Sequence, residues 1–375
     1  MSRIHRLPPL MSLSSVLPSP ESRARRTAAR LVLAVPVLAV AVACGGTSTS
    51  TAPNAPATQS STPASPGSSA PGNTNEAPTP APVAQTAGPI TATATVCTVE
   101  GAPLKGGTSV VSSLAFSKDH AFIAGDEKVL AFTVAADANS CTLALDTGLD
   151  PKIAKDGALD IGTVPMDTVS ATPTGRVVTS GVLGTKVFDL DKGTSYVCDD
   201  VTGNVIVHPS GTYAYRWFPG SPVKRIELGD TKCTPGPDVV LPFAEAQFVG
   251  FDGDAVLVGG KDASDVVTAA KVVDGTPVWQ HSNPEASAED TLGWVHGMAK
   301  CGDRYCTADT NFDRTLVLGA DGAHQASFPM SKMLGLPRGF VQTMVPGPDG
   351  APYVLDSVTD GDSTFGFVAR IDVTG

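Results

Sequence analysis

No apolar run in this 375-residue chain is long enough to span a bilayer. Leu31 to Ala43 gives 13 apolar residues, against about 20 for a spanning helix. Basic charge is equally scarce. The formal net charge is −11, no Lys or Arg occurs between Leu31 and Leu104, and residues 97–375 hold 20 basic against 35 acidic residues. Binding to a phosphate backbone needs a basic patch, so nucleic acid is excluded as a partner. The acidic excess reads as a solubility device. Also missing are an HExxH helix, a GxSxG elbow, a P-loop and a dinucleotide fingerprint on a strand–helix unit. There is no CxxC pair, and His is not clustered near Cys, which sets zinc aside. Finally, no 12-residue window has a clean helical period, and Lys332 to Leu336 is at most one helical turn.

What is present divides into three parts. Residues 1–43 contain Arg3, Arg6, Arg23, Arg25, Arg26 and Arg30 before the 13-residue apolar run. A positive segment, a short apolar core and small residues describe a cleavable export signal. The long basic stretch leaves Met11 or a later residue as an alternative start. The run ends Val42-Ala43-Cys44-Gly45-Gly46, which resembles the lipobox of bacterial lipoproteins. The resemblance covers about 46 residues and departs from the family pattern at Ala41, where Leu is preferred. It implies that Cys44 is acylated, becomes the mature N-terminus and tethers the chain to the outer face of the cell membrane. Acyl chains contribute about 0.8 kcal/mol per buried methylene, so two or more anchor stably.

Residues 44–90 are expected to form a disordered tether. Across residues 45–96, 43 of 52 residues are Ala, Gly, Pro, Ser or Thr. Such a composition buries too little surface to offset its ordering entropy.

From Thr91 to Gly375 short runs rich in Val, Ile, Leu, Phe and Thr alternate with Gly, Asp and Pro turns. The fold class is all-β. Six polar turns, at Asp119, Thr174, Ser210, Gly253, Asp303 and Asp349, each divide two strand-like runs, with a mean spacing of 46 residues. Third runs follow at Val129–Val134, Lys186–Leu190, Val223–Leu228, Ala269–Asp274, Thr315–Gly319 and Phe367–Asp372. Four strands per unit of about 46 residues is the size of a propeller blade. A six-bladed β-propeller is expected, with a seventh degenerate blade or a β-sandwich as alternatives. The last unit lacks a fourth strand, and Thr91 to Val99 belongs to no other unit. That segment is expected to pair beside Phe367–Val373 and close the ring, which removes an open sheet edge. Repeat length and turns such as Pro348-Asp349-Gly350 resemble secreted bacterial propellers of the YVTN, NHL and quinoprotein-like kind.

Seven Cys are present. With Cys44 acylated, an even six remain, which in an exported chain implies disulfides. Cys301 and Cys306, divided by a short turn, are expected to face each other across a hairpin. Cys198 with Cys233, and Cys97 with Cys141, are paired because both couples fall near fourth strands of neighbouring units.

Candidate chemistry is sparse. Trp294 and His296 head an innermost strand and are the candidate channel residues, with Arg304, Asp309, Asp313 and Arg314 in the same unit. Asp252-Gly253-Asp254 and Asp360-Gly361-Asp362 offer oxygens to calcium but read first as hairpin turns. The aromatic stretch of Tyr213, Tyr215, Trp217 and Phe218, with Arg216 among them, reads as blade packing. No metal or cofactor is expected. The overall expectation is a lipid-anchored, non-catalytic module that binds a protein, peptide or glycan. The alternative is an exported lactonase-, lyase- or quinoprotein-like enzyme working through channel residues.

Overall fold

The computed structural model describes residues 77–375 except 107–110, 126–127, 138, 163–166, 219–220, 244 and 361–362. The expected signal, Cys44 and most of the expected tether lie outside the described residues.

The described residues form six antiparallel meanders. Blade 1 is Ser113–Ser117, His120–Gly125, Lys128–Ala136 and Cys141–Leu145. Blade 2 is Thr168–Ala171, Arg176–Gly181, Gly184–Asp189 and Thr194–Cys198. Blade 3 is Asn204–Val207, Tyr213–Trp217, Lys224–Leu228 and Cys233–Asp238. Blade 4 is Glu245–Asp252, Ala255–Lys261, Val267–Val273 and Thr276–Ser282. Blade 5 is Val295–Cys301, Arg304–Asp309, Arg314–Leu318 and His324–Pro329. Blade 6 is Phe340–Pro346, Pro352–Asp360 and Ser363–Thr374, completed by Ile90–Val96. All six turns marked in the sequence join the first and second strands of a blade.

Ile90–Val96 runs antiparallel to Ser363–Thr374 in a register from Thr91 opposite Thr374 to Val96 opposite Ala369. The early segment thus closes the ring, as its unpaired strand pattern implied. Closure also shows in the apolar clusters, one at each of six blade interfaces. Between blades 1 and 6, Phe116 meets Tyr353 with ring centroids 4.8 Å apart. Between blades 4 and 5, Trp279 meets Tyr305 at 5.2 Å. Inner and middle strands are sandwiched, so Arg176–Gly181 is buried on both faces. Outer strands are half-exposed, and Thr276–Ser282 shows alternation in its second half. That burial pattern is what continuous and alternating apolar runs encode.

Ordered structure starts earlier than the expected boundary at residue 90. Gln85–Ala87 pairs with Ile90–Val96 through a turn at Gly88, whose φ of 58° suits glycine. Before it, Ala81 and Val83 donate backbone hydrogen bonds to Gly335 and Met333. Side-chain composition hid these contacts because they are made by the backbone. The one helix among the described residues is Met330–Leu334, two residues ahead of the expected turn. Gly335, in the left-handed region, ends it.

The three Cys pairs stand at bonding distance, with Cα separations of 4.4 Å for Cys97–Cys141, 5.1 Å for Cys198–Cys233 and 5.9 Å for Cys301–Cys306. Cys198 ends the outer strand of blade 2 and Cys233 begins that of blade 3. Cys97 follows the closing strand and Cys141 begins the outer strand of blade 1, so this bridge clamps the seam. Cys301 and Cys306 are not directly opposed: Cys301 faces Arg304 and Cys306 faces Ala299. The two sulfurs instead meet diagonally, one pleat apart on one face of the sheet.

Candidate binding channel

The innermost strands of all six blades surround one channel, which has two halves. They meet at a waist of Leu114, Val169, Ser170, Ile206, Phe248 and Val345, which line both. The first half, about 320 Å³, opens among the turns that join first and second strands. It is walled by apolar groups such as Phe116, Phe251, Met298 and Met344, and its rim carries Pro173, Pro209 and Pro348. Its Lys118 is ion-paired to Asp191.

The second half, about 290 Å³, opens at the opposite end. Its lining is also mainly apolar, with uncharged polar groups set among the apolar ones: Asn204, Gln247 and Gln342 bring amides, Thr168 and Thr343 hydroxyls. Trp294 and His296 both line this half. Their rings meet edge-on at 6.0 Å. Burial holds the His296 imidazole below its usual range, against backbone hydrogen bonding at Gln342 and Val341, so the ring is neutral at neutral pH.

Neighbouring strands fix these side chains. Gln247 of blade 4 accepts the Val295 N–H of blade 5 through Oε1 at 3.2 Å. Its Nε2 is shielded from solvent without a partner among the described residues. Gln342 donates through Nε2 to Ser357 Oγ at 2.8 Å. Similar braces tie inner strands around the ring. Ser113 Oγ donates to the Val169 carbonyl at 3.1 Å, Val207 N–H to Ser170 Oγ at 2.8 Å, and Thr310 Oγ1 to the Val341 carbonyl at 2.6 Å.

Of the residues that the sequence grouped with Trp294, Asp309 and Arg314 stay with its segment, whereas Asp313 and Arg304 do not. Asp309, fully buried, accepts the backbone N–H groups of Gly293 and Trp294 at 3.0 and 3.1 Å and lies 3.7 Å from Arg314. It positions the segment carrying Trp294. Burial raises its carboxyl pKa, and those two N–H bonds oppose the rise. Asp313 instead binds Ser331 at the short helix. Arg304 lies at the far end of the blade, on Gln325 and the Gly375 carbonyl.

Asp252 is occupied by protein groups: Lys271 at 2.8 Å, the Tyr305 hydroxyl at 2.7 Å and Lys300 at 3.4 Å. No metal-ligand cluster occurs among the described residues. Of Asp360-Gly361-Asp362, the last two lie outside them. Tyr213 and Tyr215 pack with His208 on Phe251 of the next blade, with Arg225 3.8 Å from the Tyr213 ring centre. Trp217 is buried in the same interface.

Sequence reasoning missed the three amides, because an isolated Asn or Gln in a strand carries no chemical signature. It also missed Asp356, beside Ser357, with 1% of its surface exposed. Burial pushes this carboxyl to about 7; the Ser357 N–H opposes the rise and the charge of Asp313 adds to it.

No family model matches the chain, and no curated protein does. Three solved structures illustrate what it is similar to. A chain of a mitotic checkpoint complex is 11% identical with a TM-score of 0.42, over 68% of this chain and 89% of that one. The Cps50 (Swd1) β-propeller domain of Myceliophteria thermophila is 10% identical with a TM-score of 0.44, over 69% and 82%. A chain of a nidogen/laminin complex is 10% identical with a TM-score of 0.41, over 60% and 82%. The propeller assignment itself rests on the strand order and interfaces described above.

Proposed function

We propose that this chain is an exported lipoprotein, anchored through Cys44 at the extracytoplasmic face of a bacterial membrane, whose propeller is a non-catalytic binding module. The observation that carries the binding reading is the channel, to which all six inner strands contribute two mainly apolar halves, the second with neutral hydrogen-bonding groups set in its wall. Concave sites with apolar walls and a few fixed polar groups are the usual form of a ligand site. Three Cys pairs at bonding distance suit an oxidising compartment. No helix among the described residues is long and apolar enough to cross a membrane, and a lipid on Cys44 would hold the chain there without one.

The anchor is tested by expressing the full chain in a bacterial host and weighing its mature N-terminus by mass spectrometry. An acylated Cys44 at the N-terminus is expected, and the Cys44→Ala variant should leave the membrane fraction. Membrane retention of that variant would refute the lipid anchor.

A further inference from the structure

We propose that the second half of the channel, where amides stand among apolar walls, takes a neutral, hydroxyl-bearing ring, a sugar unit, stacked on Trp294 and hydrogen-bonded by Gln247 and Gln342. The proposal rests on the binding-module reading and names its ligand class.

Three observations converge. First, the two glutamines offer complementary atoms. Val295 N–H occupies Gln247 Oε1, which leaves Nε2 as an unpartnered donor. Gln342 donates one amide N–H to Ser357 Oγ, and its carbonyl Oε1 is an acceptor. A hydroxyl both donates and accepts, so one sugar hydroxyl or a vicinal pair satisfies both. An unsatisfied shielded donor is a standing cost of about 1–3 kcal/mol, relieved when the Gln247 amide turns to meet a ligand oxygen in the cavity. Second, the half-buried Trp294 gives the cavity an aromatic wall, suited to the apolar C–H face of a sugar ring. Third, the charge balance favours a neutral guest. His296 is held uncharged, and the one Asp or Glu on the lining, Asp167, is exposed. At about 290 Å³ the cavity is at the small end of ligand sites, which suits one ring better than an extended peptide.

The test uses the mature full-length chain in detergent. Glucose, galactose, mannose, N-acetylglucosamine and their methyl glycosides are screened by saturation-transfer NMR. Affinities are then taken from tryptophan fluorescence. At least one sugar should bind, Trp294→Ala and Gln247→Leu should each weaken it tenfold or more, and Trp294→Phe should restore part of the loss. Val278→Ser, on the exposed outer strand of blade 4 and away from the channel, should leave affinity within twofold. Thermal melts confirm that each variant folds. The sugar assignment is overturned if no sugar gives saturation transfer, or if binding survives Trp294→Ala. An end-blocked Ala-Ser-Gly hexapeptide, run in parallel, separates the two readings. Trp294-dependent binding of that peptide without sugar binding sinks the sugar proposal and keeps the module, while failure of both probes counts against both.

Discussion

Removing the Cys97–Cys141 bridge should cost more stability than removing Cys301–Cys306, although both pairs are buried. A cross-link stabilises chiefly by restricting the unfolded chain, and the effect grows with the loop it closes. The first pair is 44 residues apart and the last only 5. The loop-entropy relation then assigns about 4 kcal/mol to the first and about 2 kcal/mol to the last. A propeller of about 280 residues unfolds with an entropy near 0.6 kcal/mol/K, so the expected losses in Tm are about 7 °C and about 3 °C. The assay is differential scanning calorimetry of Cys97→Ser/Cys141→Ser and Cys301→Ser/Cys306→Ser under non-reducing conditions. Position adds to the asymmetry, since Cys97 and Cys141 join the closing strand to blade 1. An equal or larger loss in the Cys301–Cys306 variant would show that loop length and seam position do not govern these bridges.

Two further outcomes follow. Asp356 has a folded pKa of about 7, above the usual 3.9 of an unfolded Asp. The folded state therefore holds this proton where the unfolded state has lost it, and the group's effect is to lower stability as pH rises from about 4 to about 7. Asp356→Asn should flatten that fall, and urea titrations at pH 5 and pH 8 should show the variant gaining clearly more on the parent at pH 8 than at pH 5. Gly297 lies opposite Met344 in a parallel contact between blades 5 and 6, and a Cβ there would overlap the Met344 backbone. Gly297→Ala should cost about 1–3 kcal/mol by forcing the inner strands apart, read as a lower urea midpoint at unchanged slope; an unchanged midpoint would show that the strands yield freely.

Periodicity made the architecture readable because each blade repeats the same problem. A hairpin turn must reverse the chain near Asp119, Gly253 and Asp303, and one residue takes a positive φ there or beside it: Lys118, Gly253 and Gly302 do so. The closing strand was legible for a thermodynamic reason, because Thr91 to Val96 had strand character and no partner, while the last unit had an edge. The even six Cys were legible by the same kind of pairing argument. Backbone-made features were not. The Ala81 and Val83 contacts use only N–H and C=O groups, so Pro-rich and Ala-rich composition concealed them. Trp294 and His296 reached the channel because they precede and enter an inner strand. Arg304, close in sequence, went to the other end because one strand length separates it from them. Gln247 and Gln342 could not have been chosen, since their meaning depends on which of their atoms neighbours already occupy.

That dependence ties the site to the ring. Gln247 is held by the next blade's Val295, the Trp294 segment by Asp309 of the second strand, and the Gln342 strand by Thr310 of the preceding blade. No blade carries the complete set of polar groups, so the second half of the channel exists only while six blades stand in register. Loosening the seam should therefore reach the channel without touching its residues. In the Cys97→Ser/Cys141→Ser variant, hydrogen exchange should quicken first at the backbone amides of Ile90–Val96, and next at Val341 to Val345. Exchange that quickened in blade 3, opposite the seam, as early as in blade 6 would mean that the ring opens as a whole and that closure and channel are not coupled through these braces.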